Sequence, residues 1–170
     1  MQNVLTIFVT ITLFVIACQD WRSRSVYWWL FPLLAVGGCM MSLTRLGAPG
    51  VFLRYLSINL GFLIVQLAAL QAYFFIRRRK AGSMIGLGDV FFLVAVCCFF
   101  SPMNFMVFYV GSLGFSIGAA VVISGTGRPR RETVPLAGLQ AICFIVCLFT
   151  SMISNYSLVN DHWLIKKLGG

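Results

Sequence analysis

Acidic side chains are the scarcest charge in this chain. Its 170 residues hold four Asp and Glu against 13 Lys and Arg, with a single histidine. Charged residues of both signs reach only 10% of the total, where soluble domains carry about a quarter, so an ordinary water-soluble globule is excluded. Histidine-rich metal sites are equally disfavoured, because His162 stands alone. No Cys-x-x-Cys pair occurs. Cys18, Cys39, Cys97, Cys98, Cys143 and Cys147 all lie in apolar runs, where thiols behave as small hydrophobes rather than as disulfide partners or zinc ligands. The expectation is therefore no metal and no cofactor. The basic residues fall in short clusters between apolar runs instead of on one polar face, which excludes a nucleic-acid surface and marks them as topology signals.

What the chain has in abundance is apolar surface, at 60% hydrophobic residues and a mean hydropathy of +0.94. Apolar segments separated by turn and charge signals predict an all-α polytopic membrane protein, one six-helix domain over 1–170. The helices are expected near 3–19, 26–43, 51–76, 85–100, 105–124 and 134–153, with a polar tail over 154–170. The first segment has a lipoprotein-like Val15-Ile16-Ala17-Cys18, but no Lys or Arg precedes it and more apolar segments follow, so it reads as a retained helix. Asn59, Gln66 and Gln71 in the third segment suit hydrogen bonding between helices, and Arg54 suits snorkelling to the interface. Gly111, Gly114 and Gly118 in the fifth allow close approach of a neighbouring helix, within one bundle or between copies.

Loops one, three and five carry Arg22, Arg24, Arg77, Arg78, Arg79, Lys80, Arg128, Arg130 and Arg131. The opposite face holds Arg45, Arg54, Lys166 and Lys167. The positive-inside bias then puts loops one, three and five in the cytoplasm and both termini on the non-cytoplasmic side of the cytoplasmic membrane.

This topology gives the few acids their meaning. Asp20, after the first segment, and Asp89, in Gly86-Leu87-Gly88-Asp89 at the start of the fourth, share the cytoplasmic rim. Asp161 belongs to the outer tail, and Glu132 sits among Arg128, Arg130 and Arg131, where a solvated ion pair accounts for it. Ionisable groups at the edge of a membrane helix are costly and usually functional. Two carboxylates at a partly desolvated site share a proton. The ionised member is then able to take a proton from water as the water attacks an amide carbonyl, while the neutral one donates to the carbonyl oxygen or leaving amine. Gly86 and Gly88 are expected to adopt backbone angles that other residues avoid and to let a substrate backbone come close. The competing structural account has Asp89 as a helix cap after a flexible turn and Asp20 paired with Arg22 or Arg24.

These residues resemble the type IV prepilin peptidases and archaeal preflagellin peptidases, membrane aspartyl proteases of the Gly-x-Gly-Asp class. The similarity spans nearly the whole chain. It rests on Asp20 followed by Arg22 and Arg24, on Gly86-Leu87-Gly88-Asp89, and on the basic stretch leading into Val134-Pro135-Leu136-Ala137. The resemblance implies six helices, catalytic roles for Asp20 and Asp89, motif support from Gly86 and Gly88, and possible substrate or structural support from Arg22, Arg24 and Pro135. It further implies cleavage of the basic leader of a pilin-like precursor, the expected partner besides the lipid bilayer. Val26-Tyr27-Trp28 replaces the Ile-Pro-Asn-like stretch of many relatives, and Phe91 stands where many bacterial members have Lys. Larger bacterial relatives carry a cysteine-paired cytoplasmic insertion linked to methylation. Loop one here is a few residues long, so the expectation is peptidase activity without methyl transfer.

Two other classes compete. A proton-coupled transporter or channel subunit would use the same acids, although transport predicts acids near helix centres rather than at one rim. The other is an inactive membrane scaffold of a secretion or pilus apparatus.

Overall fold

Inside a bilayer each backbone N–H and C=O must find a partner within the protein, which makes the helix the default for an apolar segment. A computed structural model describes residues 2–23, 25–76, 86–125, 136–154 and 157–159. They form α1 (Gln2–Ser23), α2 (Leu30–Leu46), α3 (Pro49–Ile76), α4 (Leu87–Val96), α5 (Pro102–Gly125) and α6 (Leu136–Ile153). Three stretches, Gln2–Ser23, Pro49–Tyr73 and Leu136–Ile153, are long and apolar enough to cross a membrane. On length and composition the chain is an all-helical membrane protein.

The helix ends depart from expectation for local reasons. α1 continues through Asp20 to Ser23, where the polar run suggested a turn. Ser23 Oγ donates back to the Gln19 carbonyl at 2.9 Å, and Arg22 stands in the last turn, where a cation complements the helix dipole. α2 begins at Leu30 instead of 26, because Tyr27 and Trp28 form a turn, with Leu30 N–H donating to the Tyr27 carbonyl at 3.1 Å. It ends in left-handed Gly47, φ 65°, whose N–H returns to Leu43 O, and Pro49 opens α3 directly. The long loop expected over 44–50 thus shrinks to Gly47 and Ala48.

α6 touches α1, α5 and α4; α2 touches α1, α3 and α4; and α3 touches α5. The helices α1, α2, α3, α5 and α6 therefore follow one another around a ring, and α4 packs against α2, α3 and α6. At ten residues α4 is about 15 Å long, half the thickness of a hydrocarbon core. The helix expected over 85–100 stops at Val96 and gives way to turns from Cys97 to Phe100.

Those turns are tolerated because neighbouring helices supply the missing partners. Asn59 of α3, 1% exposed, donates from Nδ2 to the carbonyls of Cys97 (3.0 Å) and Phe100 (2.8 Å). Ser42 of α2 donates to the Cys98 carbonyl at 2.6 Å. A Cβ on Gly38 would come within 2.6 Å of the Phe99 ring, so α2 is pressed onto this segment. Phe99, Phe100 and Phe108 then gather round Phe144 of α6, with ring centroids 4.9, 5.1 and 5.6 Å from it. Of the three amides expected to bond between helices, Asn59 does so, Gln66 is half-buried and Gln71 is exposed.

The glycine face of α5 does not do what its spacing suggests. A Cβ on Gly111, Gly114 or Gly118 would meet nothing within 4 Å, so no helix of this chain is packed close against it among the described residues. The basic runs Arg77–Lys80 and Arg128–Arg131, with Glu132, Asp161, Lys166 and Lys167, lie outside the described residues.

The broken end of α4 makes Asn59 structurally expensive to lose. Asn59→Leu strands two buried carbonyls and is expected to lower stability by about 2–4 kcal/mol, a fall in Tm of roughly 5–15 °C in detergent.

Candidate active site

A helix exposes backbone N–H groups in its first turn that no residue of the helix itself can satisfy. In α6 these donors face two aspartates. Gly138 N–H donates to Asp20 Oδ2 at 2.6 Å, and Asp20 is buried, 8% exposed, although it sits one turn from the end of α1. The Asp89 carboxylate lies against the preceding amide, Ala137 N–H. Consecutive amides of one helix thus face the two acids, which lie near enough to interact electrostatically. The positive end of the α6 dipole favours negative charge here, while the two like charges oppose it.

Asp89 is also fixed by its own helix. Gly86 is the N-cap residue of α4 and Asp89 the third residue of the helix; Asp89 N–H donates to the Gly86 carbonyl at 3.0 Å, and its carboxylate folds back beside Gly86. This corrects the conformational role expected for Gly86. Its φ of −70° and ψ of 131° suit any residue. The missing side chain matters instead, because a Cβ would stand 3.0 Å from Asp89 Oδ2. Gly88 lies within α4, and a Cβ there would touch only Phe31 at 3.8 Å, an ordinary contact. Neither glycine needs an unusual backbone angle; among the described residues only Gly47 has a positive φ.

Asp89 is half-buried, and on the opposite face of α4 an apolar strip, Leu87, Phe91 and Val94, is exposed. Arg22 is exposed on α1 and lines a cleft of about 600 Å³ with Cys18, Gln19, Ser23, Ser25, Val26 and Tyr27, a cleft that includes neither aspartate. Arg24 and Pro135 lie outside the described residues. Among the described residues no three His, Cys, Asp or Glu side chains gather as a metal cluster.

Sequence reasoning missed the contribution of α6. Gly138 is the residue that lets α1 approach: a Cβ there would come within 3.0 Å of Asp20 Oδ2, 3.2 Å of Asp20 Cβ and 3.4 Å of the Ala17 carbonyl. The available signal was a glycine in the first turn of the last apolar segment, directly after Ala137. Gly138→Val should separate Asp20 from α6 and lower unfolding stability by about 1–3 kcal/mol, while Gly111→Ala, with open space around it, should stay within about 1 kcal/mol of wild type; equilibrium unfolding in detergent compares them. No family model matches this chain, and neither does any curated protein or solved structure.

Proposed function

We propose that the chain is a membrane aspartyl endopeptidase of the prepilin peptidase type, with Asp20 and Asp89 as its catalytic pair. One observation carries this: residues 69 positions apart in sequence meet on successive N–H groups of α6. A capping function alone accounts for Asp89 on Gly86. It does not account for a second buried acid delivered to the same helix end from α1.

In this reading one carboxylate of the pair is ionised and the other protonated. The ionised group accepts a proton from water as the oxygen attacks the scissile carbonyl carbon. The protonated group donates its proton to the leaving amine as the C–N bond breaks, the pair keeping in exchange the proton taken from water, so water ends up divided between the new carboxyl and amino termini. The substrate is a pilin-like precursor with a short basic leader. Its positive leader suits a site built on acids.

The proposal places all six helices across the cytoplasmic membrane, α4 crossing together with the turns that follow it. Both termini are then outside and the pair is at the cytoplasmic face, as the distribution of Lys and Arg favours.

With purified protein and a prepilin-like substrate, Asp20→Asn and Asp89→Asn are each expected to slow cleavage by about 10²–10⁴-fold, whereas Glu132→Gln retains it. Cleavage at the wild-type rate by either Asn variant would remove that aspartate from the mechanism. Reporter fusions at Arg79 and at the C-terminus should report inside and outside respectively; the same compartment for both would overturn the six-pass topology.

A further inference from the structure

The end of α1 and the turn after it form a second polar place, the cleft of about 600 Å³ that includes neither aspartate. Gln19, Arg22 and Ser23 line it from α1, where spacings of three and four residues put them on one face. The rest of the lining, Ser25 to Tyr27, is tied to that face. Tyr27 N–H donates to Gln19 Oε1 at 3.2 Å, and Ser23 Oγ donates to the Ser25 carbonyl at 3.0 Å. The bond from Tyr27 orients the Gln19 amide, and among the described residues neither its Nε2 nor the Arg22 guanidinium has a hydrogen-bond partner. The described acids are Asp20 and Asp89, so no described carboxylate neutralises the lining. A concave place with a guanidinium, an amide and hydroxyl donors but no acid suits an oxyanion. Its volume lies within the roughly 300–1,000 Å³ of sites that take a small organic group.

The surroundings of the cleft say where such an anion comes from. Trp21, Tyr27, Trp28 and Trp29 are each at least half exposed, and rings of this kind settle at the headgroup level of a bilayer. Cys18 lines the cleft and also ends an exposed apolar stripe of α1, Val4, Ile7, Ile11 and Phe14. The stripe from Val4 to Cys18 is about 21 Å long, more than one leaflet of a hydrocarbon core. Charge at one end and apolar surface leading away from it match the two parts of one molecule. We propose that this cleft binds the phosphodiester headgroup of an anionic phospholipid, with its acyl chains laid along the α1 stripe. The Arg22 fork meets two phosphate oxygens, and Gln19 Nε2 donates to a third. This site is separate from the aspartate pair and does not rest on peptidase activity.

The test titrates the full chain in nonionic detergent with phosphatidylglycerol, with phosphatidylcholine of the same acyl chains, and with inorganic phosphate, and reads Tm. A ligand that binds the folded state alone raises Tm with its concentration, and the rise yields an apparent affinity. Phosphatidylglycerol should stabilise the wild type, and phosphatidylcholine should bind at least several-fold more weakly. Arg22→Gln should weaken binding of phosphatidylglycerol by roughly tenfold or more, as expected for a lost hydrogen bond to a charged group. Arg22→Lys keeps the charge without the fork and should fall between Arg22→Gln and wild type. Arg54→Gln removes one exposed charge from α3 and should bind as wild type does. Each affinity is taken against that variant's own Tm without lipid, so a change in stability from the end of α1 does not enter. Equal affinity for the two lipids, or wild-type affinity in Arg22→Gln, overturns the proposal. An equal loss in Arg54→Gln also overturns it, since overall charge would then account for binding. If inorganic phosphate binds as tightly as phosphatidylglycerol, the site is one for free phosphate and the lipid assignment falls.

Discussion

The first turn of α6 is where this structure is tied together. Its N–H groups need acceptors, and the chain spends two of its four acids on them, one from α1 and one from α4. Three helices distant in sequence are brought together at one point, α1 through the hydrogen bond from Gly138 N–H to Asp20 and α4 through the approach of Asp89 to Ala137 N–H. Glycine makes the joint possible on both sides. Gly138 leaves room for Asp20 against α6, and Gly86 leaves room for Asp89 against its own cap.

The remainder of the bundle supports this joint from below. α4 presents Asp89 in its first turn and is too short to reach the far side as a helix. Its end is finished by Ser42 and Asn59, which bond the carbonyls of the turns, and by aromatic packing on Phe144. Irregular backbone buried in protein is tolerable only where its polar groups find partners, and Cys97 to Ser101 are all buried among the helices that supply them. Placement of α4 thus depends on groups at both of its ends.

Much of this was legible in the residues. Apolar runs marked six helices, and scarcity of acids directed attention to Asp20 and Asp89. Boundaries were less legible, because they depend on contacts between distant segments. No local pattern says that Asn59 will satisfy carbonyls at Cys97 and Phe100, allowing α4 to end at Val96. Polar residues at 19–25 looked like a turn, yet the helix continues to Ser23, since Asp20 is paid for by an amide 118 positions away. The α5 glycines carry the opposite lesson: their spacing is a packing signal, and whether a partner fills it is decided by the arrangement of the other helices.

Anchoring both acids to α6, on neighbouring peptide units, also has a mechanical meaning. The spacing of the two amides is metered by the repeat of a helix, about 1.5 Å of rise from one residue to the next. Tilting α6 therefore carries both acids together, like two hooks on one rail, and a movement that separates them must first release one from its amide.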